Sequence, residues 1–238
     1  MARKQSKHRI SRRTKAEITR ELCAELRSVF RQIDQLRRPL NPSEFEEDGE
    51  RRYLLRVVAE DIQTDVLRLA GAVWHLGDRL PAWLRAAELS IKPGIRDIAN
   101  DCLPLRLCAD LFNAKKHGGN DNRSGHSPLL SGVSLELPAL GLRYDGALAE
   151  GEFVLKESTP IQYTVEIRTG DGKATFGDAI DVICKGLDKW LDVLLQADFL
   201  QSDDRQIQKL AAMVTRFKND ERPIVLSDLL DTVPATSA

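Results

Sequence analysis

A chain of 238 residues that is 42% hydrophobic and 30% charged has room for a substantial core and is too apolar to be a disordered segment. Its 35 Lys and Arg residues are matched by 36 Asp and Glu residues, so no overall field commits it to nucleic acid or to a membrane surface. The four cysteines, Cys23, Cys102, Cys108 and Cys184, form no CxxC pair, and no apolar run reaches the length of a membrane span.

The cysteines therefore read as small hydrophobes in a reducing compartment, and no zinc site is expected. The first residues lack the apolar core of a signal peptide, and a cytoplasmic location follows as the expectation. Residues 1–13 form a basic arm in which Arg3, Lys4, Lys7, Arg9, Arg12 and Arg13 meet no acid before Glu17. Two readings stand for it. Arg12 and Arg13 would neutralise phosphates in a salt-dependent contact, or the arm is simply a solvated chain end.

Thr14-x-x-Glu17 is a capping-box pattern, and Ile18, Leu22, Leu26, Val29, Ile33 and Leu36 then recur at threes and fours, which predicts a long amphipathic helix. RRPLNP closes it, because neither proline can continue a helix. Ser43-x-x-Glu46 is expected to open the next helix, and the acidic run FEEDGE to be a solvated loop or that helix's start. The broad apolar face from Leu54 to Leu76 predicts a second long helix over 51–76, ended by Gly77 and Pro81 and packed antiparallel to the first. A shorter helix over 82–89, a turn at Lys92-Pro93-Gly94 and a helix boundary or bend at Pro104 follow. LRLCADLFNAKKH then runs into Gly118 and Gly119, and HGGNDNRSGHSP is the clearest loop in the chain.

Beyond that loop the period falls to two. Val133, Leu135 and Leu137 alternate with polar residues, as do Tyr163, Val165 and Ile167, with a weaker strand around Phe153 and Leu155 between them. One small antiparallel sheet is expected, with turns at YDG and TGDG. A helical stripe returns in Phe176, Ile180, Ile183, Leu187, Trp190, Leu191 and Leu194, then a last helix in DDRQIQKLAAMVTRF and a loose PATSA tail. The expected fold is mainly α (α+β), a helical bundle with a small antiparallel sheet inserted at about 130–170 before its last long helix. In domain terms the arm is 1–13, the helical domain 14–200, and the C-terminal helix and tail 201–238.

The polar residues concentrate in DLFNAKKHGG, where Asp110, Asn113 and His117 are spaced three and four apart and share one helix face. Lys116 lies on an adjoining face and Lys115 further round. Histidine titrates near neutrality and can take a proton from a ribose 2′-hydroxyl, while a cation beside it stabilises charge on a phosphate. The same residues also fit a plain helix end, since cations complement the C-terminal dipole and Gly118 is a natural residue to follow it. Arg96-Asp97-x-x-Asn100 repeats the acid and amide spacing, and two readings stand for it: it faces the cluster from the preceding helix and supplies a guanidinium, or it is a capping and salt-bridge set near a helix start. His126, in the loop beside Arg123, and His75, after Trp74, carry weaker functional signals. No P-loop, GxGxxG, GxSxG or HExxH occurs, and neither a cofactor nor a metal is expected.

FNAKKH resembles the R-N-x-x-x-H signature of the HEPN superfamily, with Asn113 and His117 matching and Phe112 in the arginine's place. Asp110, Asn113, Lys116 and His117 together resemble a bacterial HEPN-like D-x-x-N-x-x-K-H group, in which a β-containing segment and a Trp-bearing helix follow. Here Ala179 and Trp190 match that helix, and the likeness spans roughly 43–195. The resemblance implies an RNA-directed protein of stress response or defence, acting as a metal-independent endoribonuclease with a dimer-interface site or alongside a partner protein. In it His117 would be the general base, Asn113 and Asp110 orienting groups, and Lys116 the phosphate-facing cation, with Arg96, Arg106 and Lys115 as further nucleic-acid contacts. The alternative it equally implies is a non-catalytic interaction or regulatory module, because phenylalanine supplies no guanidinium.

Overall fold

The capping box at Thr14 forms as its sequence requires. The Glu17 amide donates to Thr14 Oγ1 at 3.2 Å and the Thr14 amide to Glu17 Oε2 at 2.7 Å, opening α1 (Lys15–Arg37). The structure, a computed structural model, describes residues 14–117, 122–137, 142–145, 150–155, 157–199 and 205–219. The basic arm 1–13, with Arg12 and Arg13, and the PATSA tail lie outside the described residues.

After α1 the chain departs from expectation. Ser43-x-x-Glu46 opens no helix: β1 (Ser43–Glu47) and β2 (Glu50–Val58) form an antiparallel hairpin, so the FEEDGE run is strand and turn. The reason is its two-residue turn. Asp48 and Gly49 both take positive φ, 54° and 78°, the geometry that Asp-Gly favours and that matches the twist of the flanking strands. Arg52 pairs with Glu47 at 3.0 Å across the hairpin. In β2 Leu55 and Val57 are buried while Arg56 between them is exposed, an alternation that the neighbouring Leu54 and Val58 disguise as a helical period.

The second helix, α2 (Ala59–Ala86), accordingly starts later than 51 and also runs past both expected stops. Gly77 and Pro81 lie inside it, and the short helix expected over 82–89 is its last turn. Leu76, Leu80, Trp83 and Leu84 extend the buried stripe through the proline, and burying four such side chains outweighs the roughly 3 kcal/mol an interior proline costs. The helix then stops at a reversal in which Glu88 takes φ 59° and the Leu89 amide donates to Leu84 O at 2.9 Å.

Next come α3 (Ile95–Asp101) and α4 (Leu103–His117), divided at Cys102 so that Pro104 falls in a first helical turn. The strands β3 (Leu129–Leu137), β4 (Leu142–Asp145), β5 (Glu150–Leu155), β6 (Gln162–Arg168) and β7 (Thr175–Asp178) do not build the single expected sheet. One sheet has the order β4-β3-β6-β7; the other is β1-β2-β5, because β5 leaves its sequence neighbours to pair with β2 from Tyr53↔Leu155 to Val58↔Glu150. Phe176 belongs to β7, returning through the TGDG turn, and not to the helical stripe. Two further helices, α5 (Ala179–Gln196) and α6 (Arg205–Lys218), complete the described chain.

The fold is thus mainly helical α+β, six helices with two small antiparallel sheets among the described residues. Its centre is Trp190 on α5, fully buried, whose indole Nε1 donates to Val73 O on α2 at 2.9 Å. Cys23, Cys108 and Cys184 are buried in the same core, and burial pushes the Cys108 thiol well above its ordinary value. Tyr163 of β6 ties a sheet to the end of α1 through its hydroxyl on Leu36 O; burial, with the charges of Asp178 and Asp65, pushes the phenol up to about 12. Helix α6 joins the core through Ile207, Leu210, Met213 and Val214, and Phe217 meets Phe30 edge-on at 5.5 Å. Lys218 at its end bridges Asp188 and Asp192 of α5 at 2.5 and 2.7 Å. Among the described residues no helix is long and apolar enough to cross a membrane.

Asp178 caps α5, accepting from the Ile180 and Asp181 amides at 2.9 and 3.1 Å. Burial nevertheless raises its carboxyl above the ordinary value, with the charge of Asp181 adding and the cap amides opposing. A carboxyl raised on folding favours the protonated native state, so its contribution is fully present below the unfolded value of about 4 and lost as pH rises through the folded value. Asp178→Asn, which keeps a cap acceptor without the charge, is expected to gain on the wild type in melting temperature between about pH 4 and 7, an advantage that shrinks towards pH 3. Thermal melts across that range check the sign.

Candidate functional site

Helix α4 carries the polar cluster because its other face is committed to the core: Leu105, Cys108, Ala109 and Leu111 are all buried. Asp110 is buried with them, 1% exposed, and each of its carboxylate oxygens accepts a hydrogen bond. Oδ1 accepts from the Arg123 amide at 2.7 Å and Oδ2 from the Ser124 amide at 2.8 Å. A buried carboxylate held by two backbone donors is an anchor, and here it fixes the loop 122–128 onto α4.

The loop is built around that anchor. Ser124 Oγ accepts from the His126 amide at 3.2 Å, Asn122 Oδ1 accepts from the Ser127 amide at 2.9 Å, and the Gly170 amide donates to His126 O at 3.0 Å. The His126 ring meets Phe176 at 5.1 Å and 62°, exposed at the surface. Arg106, one turn before Asp110 on α4, donates from Nη1 to Arg123 O at 3.4 Å, and its buried Nε has no hydrogen-bond partner among the described residues.

The exposed Arg123 guanidinium stands over the half-buried Trp74 of α2, 5.0 Å from the ring centroid. Sequence reasoning missed this pair. Arg123 stood in a loop noted only for its neighbouring histidine, and Trp74 on a helix whose apolar face is broad; no spacing connects two residues so far apart in the chain.

Phe112, in the position where the signature has arginine, serves packing. A Cβ added at Gly71 of α2 would fall 2.3 Å from its Cδ2, so the ring lies directly on the α2 backbone. It also meets His75 edge-on at 5.0 Å and 86°, and His75 Nδ1 pairs with Asp78 at 2.9 Å. Asn113 is half-buried on the same helix as Asp110. Lys115, Lys116 and His117 continue the helical backbone, but their side chains, with Gly118 and Gly119, lie outside the described residues. Arg96 is exposed on α3, and no hydrogen bond or ion pair among the described residues joins it to Asp110. The described residues also include no group of three or more His, Cys, Asp and Glu side chains placed to hold a metal ion.

Compared with protein-family models, curated proteins and solved structures, the chain matches none.

Asp110→Asn replaces one acceptor oxygen with an amide that cannot accept, leaving a buried backbone N–H unpaired at a cost of about 1–3 kcal/mol. Native-state hydrogen exchange is expected to show the Arg123 and Ser124 amides losing protection in that variant while the centre of α5 keeps it. Gly71→Ala is expected to destabilise the fold by roughly 1–3 kcal/mol through its clash with Phe112, and a smaller residue in Phe112→Leu to recover part of that loss in denaturant unfolding.

Proposed function

We propose that this chain is an RNA-directed, HEPN-like module that binds RNA and does not cut it. The observation carrying this reading is the commitment of Asp110, whose two carboxylate oxygens each accept from a backbone amide of the loop, which supports an anchoring role for it in place of a catalytic one. Phe112 adds to it, since the side chain in the arginine's position is held against Gly71 and supplies no charge to a scissile phosphate.

What the same residues leave at the surface suits binding. Arg123 presents a guanidinium that its own backbone, pinned by Asp110, keeps over Trp74. Such a pair offers a phosphate a charge and a base a flat surface, both without reading sequence. Lys115, Lys116 and His117 follow on the last turn of the helix that anchors this loop, and the basic arm 1–13 would add phosphate contacts.

The test is to titrate the full chain, Arg123→Ala and His117→Ala with single-stranded and structured RNA in the presence of a chelator. Wild type is expected to bind with an affinity that falls steeply with salt, Arg123→Ala to bind about tenfold more weakly, and neither to shorten the RNA. Arg123→Ala leaves the anchored amide in place, so its folding is not at risk. Cleavage by the wild type that His117→Ala lacks would restore the ribonuclease reading, and absence of any RNA binding would overturn the proposal.

A further inference from the structure

A cavity lined by residues other than those of this surface lies at the C-terminal end of α2. It has a volume of about 830 Å3 and opens where α1 begins and α2 and α5 end. Its floor is apolar and buried: Cys23, Trp83, Phe199 and Ile207, with Trp83 and Phe199 meeting edge-on at 4.8 Å. Its rim carries Lys15 and Arg20 from the first turns of α1 on one side, both exposed, and the exposed Asp198 after α5 on the other, so two cations face one carboxylate.

Several details make this more than a gap between helix ends. Lys15 and Arg20 have no ion-pair or hydrogen-bond partner among the described residues, whereas other Arg, Lys and His side chains form fourteen ion pairs among those residues, counting Lys218's two separately. Thr19, between them on α1, accepts from Trp83 Nε1 at 3.2 Å, which leaves its hydroxyl proton for another acceptor. The carbonyl ends of α2 and α5, which would repel an anion, are closed by reversals: the Leu89 amide donates to Leu84 O at 2.9 Å and the Asp198 amide to Leu195 O at 3.1 Å. The amino end of α1 adds the positive end of its dipole. A volume of several hundred Å3 with an apolar floor and a few convergent polar groups is the usual form of a small-molecule site.

We infer that this cavity binds a small amphiphilic anion, its apolar body against Trp83 and Phe199 and its carboxylate or phosphate between Lys15 and Arg20. The inference is independent of RNA binding, which rests on other residues. The apolar body supplies affinity through the area it removes from water, and the two cations select the charged head.

Calorimetric titration of the full chain with octanoate, octyl phosphate and 1-octanol tests it, using Lys15→Ala/Arg20→Ala and Ala87→Phe as variants. Wild type is expected to bind one anion per chain, about tenfold more tightly than 1-octanol; the tighter of octanoate and octyl phosphate identifies the head group. The double variant, which alters only exposed side chains, should lose that preference and still bind 1-octanol, while Ala87→Phe, confirmed folded by its melt, should bind none of the three. No saturable binding of either anion by the wild type, or equal affinities in wild type and double variant, would overturn the inference.

Discussion

Two large rings lie against the backbone of α2, and the rest of the molecule is arranged around them. Phe112 of α4 occupies the notch at Gly71, and Trp190 of α5 the notch at Gly77, where a Cβ would fall 2.9 Å from the indole Cζ2. With no side chain at either position, α4 and α5 approach α2 more closely than ordinary side chains permit, and each brings a full aromatic surface into contact. The indole also spends its N–H on Val73 O, so the contact has a direction as well as an area. Through these seats α2 becomes the element against which α1, α4 and α5 are all aligned, and the loop anchored by Asp110 inherits its position from α4.

That arrangement explains why some of the fold was legible in the sequence. A capping box followed by a 3.6-residue stripe gives α1 because both signals are local, and the stripe from Ile180 to Leu194 gives α5 for the same reason. The alternation in Val133, Leu135, Val165 and Ile167 places β3 and β6 correctly, since each strand has one buried face. What failed was decided by partners distant in the chain. Gly77 reads as a helix stop unless one knows that Trp190 fills the space above it, and β5 reads as a neighbour of β3 and β6 unless β2 is known to be waiting for it. Leu54 to Val58 fits two periods at once, and the Asp48-Gly49 turn, which discriminates between them, had been absorbed into an acidic run.

The candidate site divides the same way. That Asp110 and Asn113 sit on one helix was legible; that Asp110 faces inward to hold two amides of a loop thirteen and fourteen residues on was not, because the sequence gives no sign of which acid is buried. The phenylalanine at 112 and the glycine at 71 are two halves of one packing solution. Seen separately in the sequence, the first looks like a lost catalytic group and the second like a weak point in a helix.

The hairpin between α1 and α2 has a bearing on behaviour in concentrated solution. Strand β1 is the outer member of its sheet, and an open edge is a template on which other chains can add. Here that edge is short and bears Glu44, Glu46 and Glu47, while the arginines that neutralise part of this charge, Arg51 and Arg52, lie on the inner strand. A second copy approaching edge to edge would set carboxylate against carboxylate. The acidic run thus disfavours edge-to-edge pairing of two copies at β1.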